Sequence, residues 1–227
     1  MRPYADFLNH GVLPFVGRER ESDDVFAFWR GTFEATQLRA MLLIGEAGVG
    51  KSRLLDKIIA QIEGQGGSVV HVKLYADSTI SFIALVARAL WHPSAAQSLL
   101  AHEPDATLAS VTSALQRLVR LRPTMFVVED MHLLAAEAVG DLARLLESIS
   151  DDTVSLLALA RPVDLAARAA LEPYLVDEIS MHGLTQENCA QIWGALVGES
   201  PGDELAAALH EATTGNPLAL RSALRSA

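Results

Sequence analysis

Eight residues, Gly45-Glu46-Ala47-Gly48-Val49-Gly50-Lys51-Ser52, carry the clearest chemistry in the chain. Their spacing, G-x-x-x-x-G-K-S, is that of a phosphate-binding loop. Glycine reaches backbone angles that turn successive N–H groups into one concave, anion-binding surface. Lys51 adds a mobile positive charge for β- and γ-phosphates, and Ser52 offers a hydroxyl to Mg²⁺. Arg53 follows directly.

Hydrolysis needs more than a grip on phosphate. It needs a metal anchor, a group to orient water and a counter-charge for the γ-phosphate. Phe126-Val127-Val128-Glu129-Asp130 is an apolar run ending in two adjacent carboxylates. As a strand it delivers them to the edge where ligands bind in open α/β sheets. One acid serves the Mg²⁺ shell with Ser52 and the other polarises water; Asp130 is assigned the water. Arg161 closes the next apolar run, Val154 to Ala160, on the same edge. Its guanidinium matches phosphate geometry.

These residues require particular elements beneath them. Ala40 to Ile44 is a short apolar run, as a buried parallel strand would be. After the loop, Leu54, Leu55, Ile58, Ile59 and Ile62 recur at helical spacing over residues 51–65. Gly64, Gly66 and Gly67 end that helix. Ser68 to Leu74 alternates apolar and polar as a strand. Residues 80–121 are mostly helical, broken by Pro93 and Pro104, and Val139, Leu142, Leu145, Leu146 and Ile149 mark another helix. Residues 175–181 supply a last strand. Upstream, residues 18–34 read as a helix with Phe26, Trp29 and Phe33 along it and acids in its first turns. Strands alternating with helices imply a parallel sheet covered on both faces. After Gly183 only helical patterns remain. One carries Cys189, Ile192, Trp193 and Leu196 with Thr185 as N-cap, and another carries Leu205, Ala208, Leu209 and Ala212. Gly215-Asn216-Pro217 precedes the last. The expected division is an α/β nucleotide-binding domain over 1–181, its arm and first helix within 1–34, and a small all-helical lid over 182–227.

Composition narrows the function. The 227 residues are 50% hydrophobic and carry a net charge of −10, which argues against sequence-independent nucleic-acid binding. One cysteine excludes an internal disulfide and suits a reducing cytoplasm. No run of 18 apolar residues offers a membrane span. The seven histidines show no zinc-ligand spacing and read as ordinary surface or core residues.

Five segments in order resemble a known family: Val16-Gly17-Arg18-Glu19, the phosphate loop with Arg53, Val127-Val128-Glu129-Asp130-Met131-His132, Leu156-Leu157-Ala158-Leu159-Ala160-Arg161-Pro162, and Gly215-Asn216-Pro217-Leu218. Together they are similar to the ATPase module of signal-transduction (STAND) ATPases, near the AAA+ ATPases, found in multidomain regulators of transcription. The resemblance implies ATP or ADP with Mg²⁺ as ligands, an adenine base, and output or sensor domains of a larger protein as partners. It implies that Val16, Gly17 and Arg18 lie against the base, and that Gly215 and Pro217 close over the nucleotide. It also implies an excised or truncated module, since the family's winged-helix and output domains do not occur in these residues. Two positions depart from the family. Glu129 stands where an aspartate is usual, and Ala135 stands where a further acid is usual. Slow hydrolysis is the expectation, with binding without turnover, a small-molecule kinase or a scaffold as the alternatives.

Overall fold

A computed structural model describes residues 7–8, 10–76, 78–91, 106–163 and 166–226. Pro93 and Pro104 lie outside them. The expected elements form. Helix α1 spans Glu19–Arg30, β1 Arg39–Gly45 and α2 Lys51–Gly64. Then come β2 (Ser68–Lys73), α3 (Phe82–Trp91), α4 (Leu108–Leu121) and β3 (Thr124–Glu129). Helix α5 (Ala136–Ser148), β4 (Val154–Ala160), the short α6 (Arg168–Leu171) and β5 (Leu175–Met181) complete the sheet layer. Helices α7 (Gln186–Val197), α8 (Asp203–Thr213) and α9 (Pro217–Ser226) follow.

The five strands pair in the order β2-β3-β4-β1-β5, all parallel. Every residue of β3 and β4 is buried, the polar Thr124, Glu129 and Ser155 included, as their mainly apolar sequences and central places in the sheet require. The two sheet faces carry separate cores. Leu42, Val70, Phe126, Val128 and Leu156 meet α3, α4 and α5 on one. Met41, Leu43, Val127, Leu157 and Leu159 meet α1 and α2 on the other. Each fully buried Leu or Phe side chain contributes about 1.5–3 kcal/mol, so the sheet is a stiff platform for whatever stands at its edge.

Helices α7–α9 build a third core from Leu184, Cys189, Ile192, Leu196, Leu220 and Leu224. Phe7 and Leu13 of the N-terminal arm pack into this core, with Val16 against it. The arm thus reaches the helical unit across the mouth of the sheet. Cys189 is fully buried there, as its place on an apolar helix face predicts.

Two apolar stripes differ from the sequence pattern. In α1 the buried face is Val25, Phe28 and Trp29, while Phe33 is 58% exposed. The chain tightens to a 3-10 turn at Gly31–Phe33, which rotates Phe33 off the helical stripe. In α8 Ala206, Leu209 and Thr213 face inward, whereas Leu205 and Ala208 are exposed. The neighbours of a short helix, rather than its largest side chains, set which face is covered.

Candidate functional site

The phosphate loop leaves the end of β1 at Gly45 and enters α2 at Lys51. Gly48 and Gly50 take positive φ, 78° and 104°. At Gly48 a side chain would also meet Leu218 Cβ at 2.7 Å, so glycine answers both the turn and a close approach. The loop faces a cavity of about 600 Å³ that also touches Asp130, Arg161 and three residues of α9. Lys51 and Ser52 open onto it at the N-terminus of the 14-residue α2, where unpaired N–H groups and the helix dipole favour an anion.

Lys51 Nζ donates to Gly45 O at 2.6 Å and Glu46 O at 3.0 Å. Burial lowers its pKa, with Asp130 working in the opposite sense and Arg161 reinforcing the fall. Ser52 Oγ donates to Glu129 Oε1 at 2.5 Å. Glu129 also receives Lys73 Nζ on Oε1 at 3.0 Å, and His71 Nε2 bonds Oε2 at 2.8 Å. Its side chain is only 4% exposed. Burial alone would favour the neutral acid, but hydrogen bonds from His71, Ser52 and Lys73 and the Lys73 charge outweigh it, taking the pKa to about 2. Lys73 is raised in turn, because its bond to Glu129 overcomes its own partial burial.

Asp130 leaves β3 in the left-handed region, φ 59°. A non-glycine residue there costs about 1–2 kcal/mol. The turn swings its carboxylate off the strand and into the cavity lining, 3.8 Å from Lys73. Arg161, exposed at the end of β4, lines the same cavity. His132 lies behind them in a 3-10 turn, Met131–Leu133, with both ring nitrogens buried and unpaired. Burial and the Arg161 charge lower its pKa, against Asp130.

The Val16-Gly17-Arg18 segment is placed in two parts. Val16 lines a narrow slot of about 30 Å³ with Leu184, Ile192 and Pro217, beside Val49 and Gly50. Arg18 borders the slot, but its guanidinium is committed to backbone. It donates to Val49 O at 3.2 Å and His182 O at 2.5 Å, and pairs with Glu21 at 2.9 Å. It pins the phosphate loop to the segment after β5. Gly17, φ 70°, packs so closely on Asn188 that any side chain would overlap it. Arg53 donates to Leu13 O and stacks over Phe15, holding the arm against α2.

The helical unit meets the loop directly. Asn216 Nδ2 donates to Ala47 O at 2.8 Å, and the Leu218 N–H donates to Gly48 O at 3.3 Å. Asn216 Oδ1 caps α9 by accepting from Leu218 and Ala219 N–H. Pro217 lines both the large cavity and the slot. Gly215 lines neither; it sits against Leu184, whose N–H donates to its carbonyl at 2.7 Å.

The cavity thus unites Ala47, Gly48, Gly50, Lys51, Ser52, Arg53, Asp130, Arg161 and Pro217. Gly45, Glu46 and Glu129 stand behind it as support. No spacing or motif marks His71, Lys73 or Arg221, and Asn216 is marked only as the middle of its Gly-Asn-Pro segment. The polar positions 71 and 73 alternate with buried Val70 and Val72, but only register shows what they face: Lys73 pairs with Glu129 across β2 and β3. Arg221 reaches the cavity from α9, a helix far away in sequence.

A parallel sheet with a glycine loop between its β1 strand and α2, and two acids at β3, defines a P-loop nucleotide-binding fold. Residues 14–218 match the AAA ATPase domain, and the chain belongs to that family. It is a nucleotide-binding P-loop ATPase module of AAA+ type. No curated protein sequence matches it. Among solved structures, Drosophila ORC bound to DNA covers 97% of this chain and 57% of its own, with TM-score 0.65 and 15% identity. The Aeropyrum pernix ORC2 protein in its ADPNP–ADP complexes covers 96% and 63%, with TM-score 0.60 and 15% identity. The Pyrococcus horikoshii STAND protein with a tetratricopeptide repeat sensor covers 92% and 30%, with TM-score 0.54 and 17% identity. These likenesses concern the fold, and this chain spans less than two thirds of the length of each. Among the described residues no helix is long and apolar enough to cross a membrane.

Proposed function

We propose that this chain is an ATP-binding switch module of the STAND type with slow, Mg²⁺-dependent hydrolysis, working in the cytoplasm within a larger regulatory protein. The observation that carries it is convergence. The phosphate loop, the acid at the end of β3, the arginine at the end of β4 and helix α9 all border one cavity. A triphosphate there would meet the loop N–H groups and Lys51, with Arg161 at its terminal end. Asp130, turned into the cavity, would orient the attacking water. Val16, Gly17 and Arg18 would fix the adenine side, and the slot beside Val16 would have to widen between the lid and the arm to admit the base. Gly215 and Pro217 would set how the lid, residues 182–227, lies over the α/β domain of residues 1–181. Output or sensor domains would read the lid's position.

The residues present suit Mg²⁺. Ser52 has a hydroxyl oxygen free to coordinate while its proton is given to Glu129, and Asp130 is a partly exposed carboxylate. Mg²⁺ commonly takes few protein ligands and completes its shell with phosphate and water. Of Ser52, Glu129 and Asp130, Ser52 and Asp130 would hold it; Glu129, whose oxygens Ser52, Lys73 and His71 engage, would act through the Ser52 hydroxyl, and the second Asp130 oxygen would orient the water. Bound there it would neutralise phosphate charge.

Equilibrium dialysis with labelled ATP tests the reading. Lys51→Ala is expected to weaken uptake by about 10- to 100-fold, the worth of a charged contact to phosphate. Uptake indifferent to Lys51 would sink it. A nucleotide holder without turnover is favoured by one observation: Ala135, at the N-cap of α5, has no carboxylate where the resembled family usually carries a further acid. Phosphate release no faster than that of Lys51→Ala would select it.

A further inference from the structure

Lys73 is the cation beside the acid pair that the nucleotide reading leaves without a task. Its ammonium is 3.0 Å from Glu129 Oε1 and 3.8 Å from an Asp130 oxygen, so it stands between the two carboxylates. The β2–β3 register puts it there, opposite Glu129 on the same sheet face. The Glu129 oxygens are already engaged, Oε1 by Ser52 and Lys73 and Oε2 by His71. Lys51 and Arg161 line the cavity, where phosphate would engage them, whereas Lys73 is not part of that lining.

We propose that the Lys73 ammonium is a built-in counter-cation of the acid pair, so that the site holds a nucleoside diphosphate with little dependence on a divalent cation. The proposal rests on the nucleotide reading above. Two carboxylates would draw a divalent ion strongly to the phosphates. One fixed positive charge, hydrogen-bonded to Glu129 and 3.8 Å from Asp130, halves their net charge and repels the incoming ion. At separations well below the Debye length, salt screens this little. A diphosphate then binds mainly through the loop N–H groups and Lys51, and the ion adds less.

The test is titration of the full chain with a fluorescent ADP analogue, once in millimolar Mg²⁺ and once in EDTA. The ratio of the two dissociation constants measures the coupling between ion and nucleotide, and it is expected within about threefold for the native chain. Lys73→Met is expected to raise the ratio to about tenfold or more, and Lys73→Arg, which keeps the charge, to restore it. A purely structural Lys73 would change the melting temperature and leave the ratio alone, which would overturn the proposal. So would a native ratio of about tenfold. Should Lys73→Met not fold, Lys73→Gln is read the same way and the native ratio decides by itself. Absence of binding in both buffers removes the nucleotide reading together with this one. Tight binding with a large native ratio removes this one only.

Discussion

Burial pushes a carboxyl toward its neutral form, and at Glu129 the donors around it reverse that, taking its pKa from 4.5 to about 2. The sign of the consequence is fixed. A depressed acid stabilises the fold above its unfolded pKa, and the contribution disappears as pH falls through the folded value. Glu129→Gln is therefore expected to cost roughly 3 kcal/mol near neutrality, because one pKa unit corresponds to about 1.4 kcal/mol. The gap between variant and native urea midpoints should narrow below about pH 4.5. A gap constant down to about pH 3 would contradict this account. Asp130 shows a different economy at the same scale. Its left-handed backbone is a local strain retained where a side chain must leave the strand direction. Asp130→Gly is expected to relieve the strain and keep the fold, while phosphate release drops to the level of Lys51→Ala.

Elements meet at backbone atoms rather than at large apolar surfaces around the site. Arg18 joins the start of α1 to the phosphate loop and to the segment after β5 through two carbonyls. Hydrogen bonds to charged groups contribute about 1.5–3 kcal/mol, so Arg18→Ala should lower unfolding free energy by about that amount in urea titration. Arg18→Lys should recover little, since one ammonium does not reproduce the fork. Asn216 serves α9 as a cap and ties it to Ala47 O. Asn216→Ala should cost about 1 kcal/mol and speed amide exchange at Leu218 and Ala219, with exchange in β3 and β4 unchanged. Equal acceleration throughout the sheet would mean that the contact is not local.

At the scale of the molecule, the helical unit, which has a core of its own, touches the phosphate loop itself. A ligand in the cavity would then be reported to α7–α9 through Asn216, Pro217 and Leu218. Binding raises stability by about 2.7 kcal/mol at a hundredfold excess over Kd, so ATP with Mg²⁺ should raise the melting temperature of the native chain clearly more than that of Lys51→Ala. A switch also requires the two nucleotides to favour different arrangements. Exchange over residues 184–226 should therefore differ between ATP and ADP, while α1 and the sheet stay equal. Identical patterns would leave a nucleotide holder and no switch.

The one-dimensional pattern by itself determined a good deal. The strand–loop–helix at residues 39–64, the acids closing β3 and the parallel alternation all follow from short-range rules: glycine at the loop, unbroken apolar runs for central strands, period 3.6 for helices. Short-range rules stop at the partner across the sheet. Nothing in Ser68 to Lys73 says that β2 lies beside β3, so the Lys73 and His71 contacts with Glu129 arise only from strand order and register. The same holds for Arg221 and Asn216 at the loop, and for the N-terminal arm in the core of α7–α9. Those contacts join residues far apart in the chain, and only folding decides which distant surfaces meet.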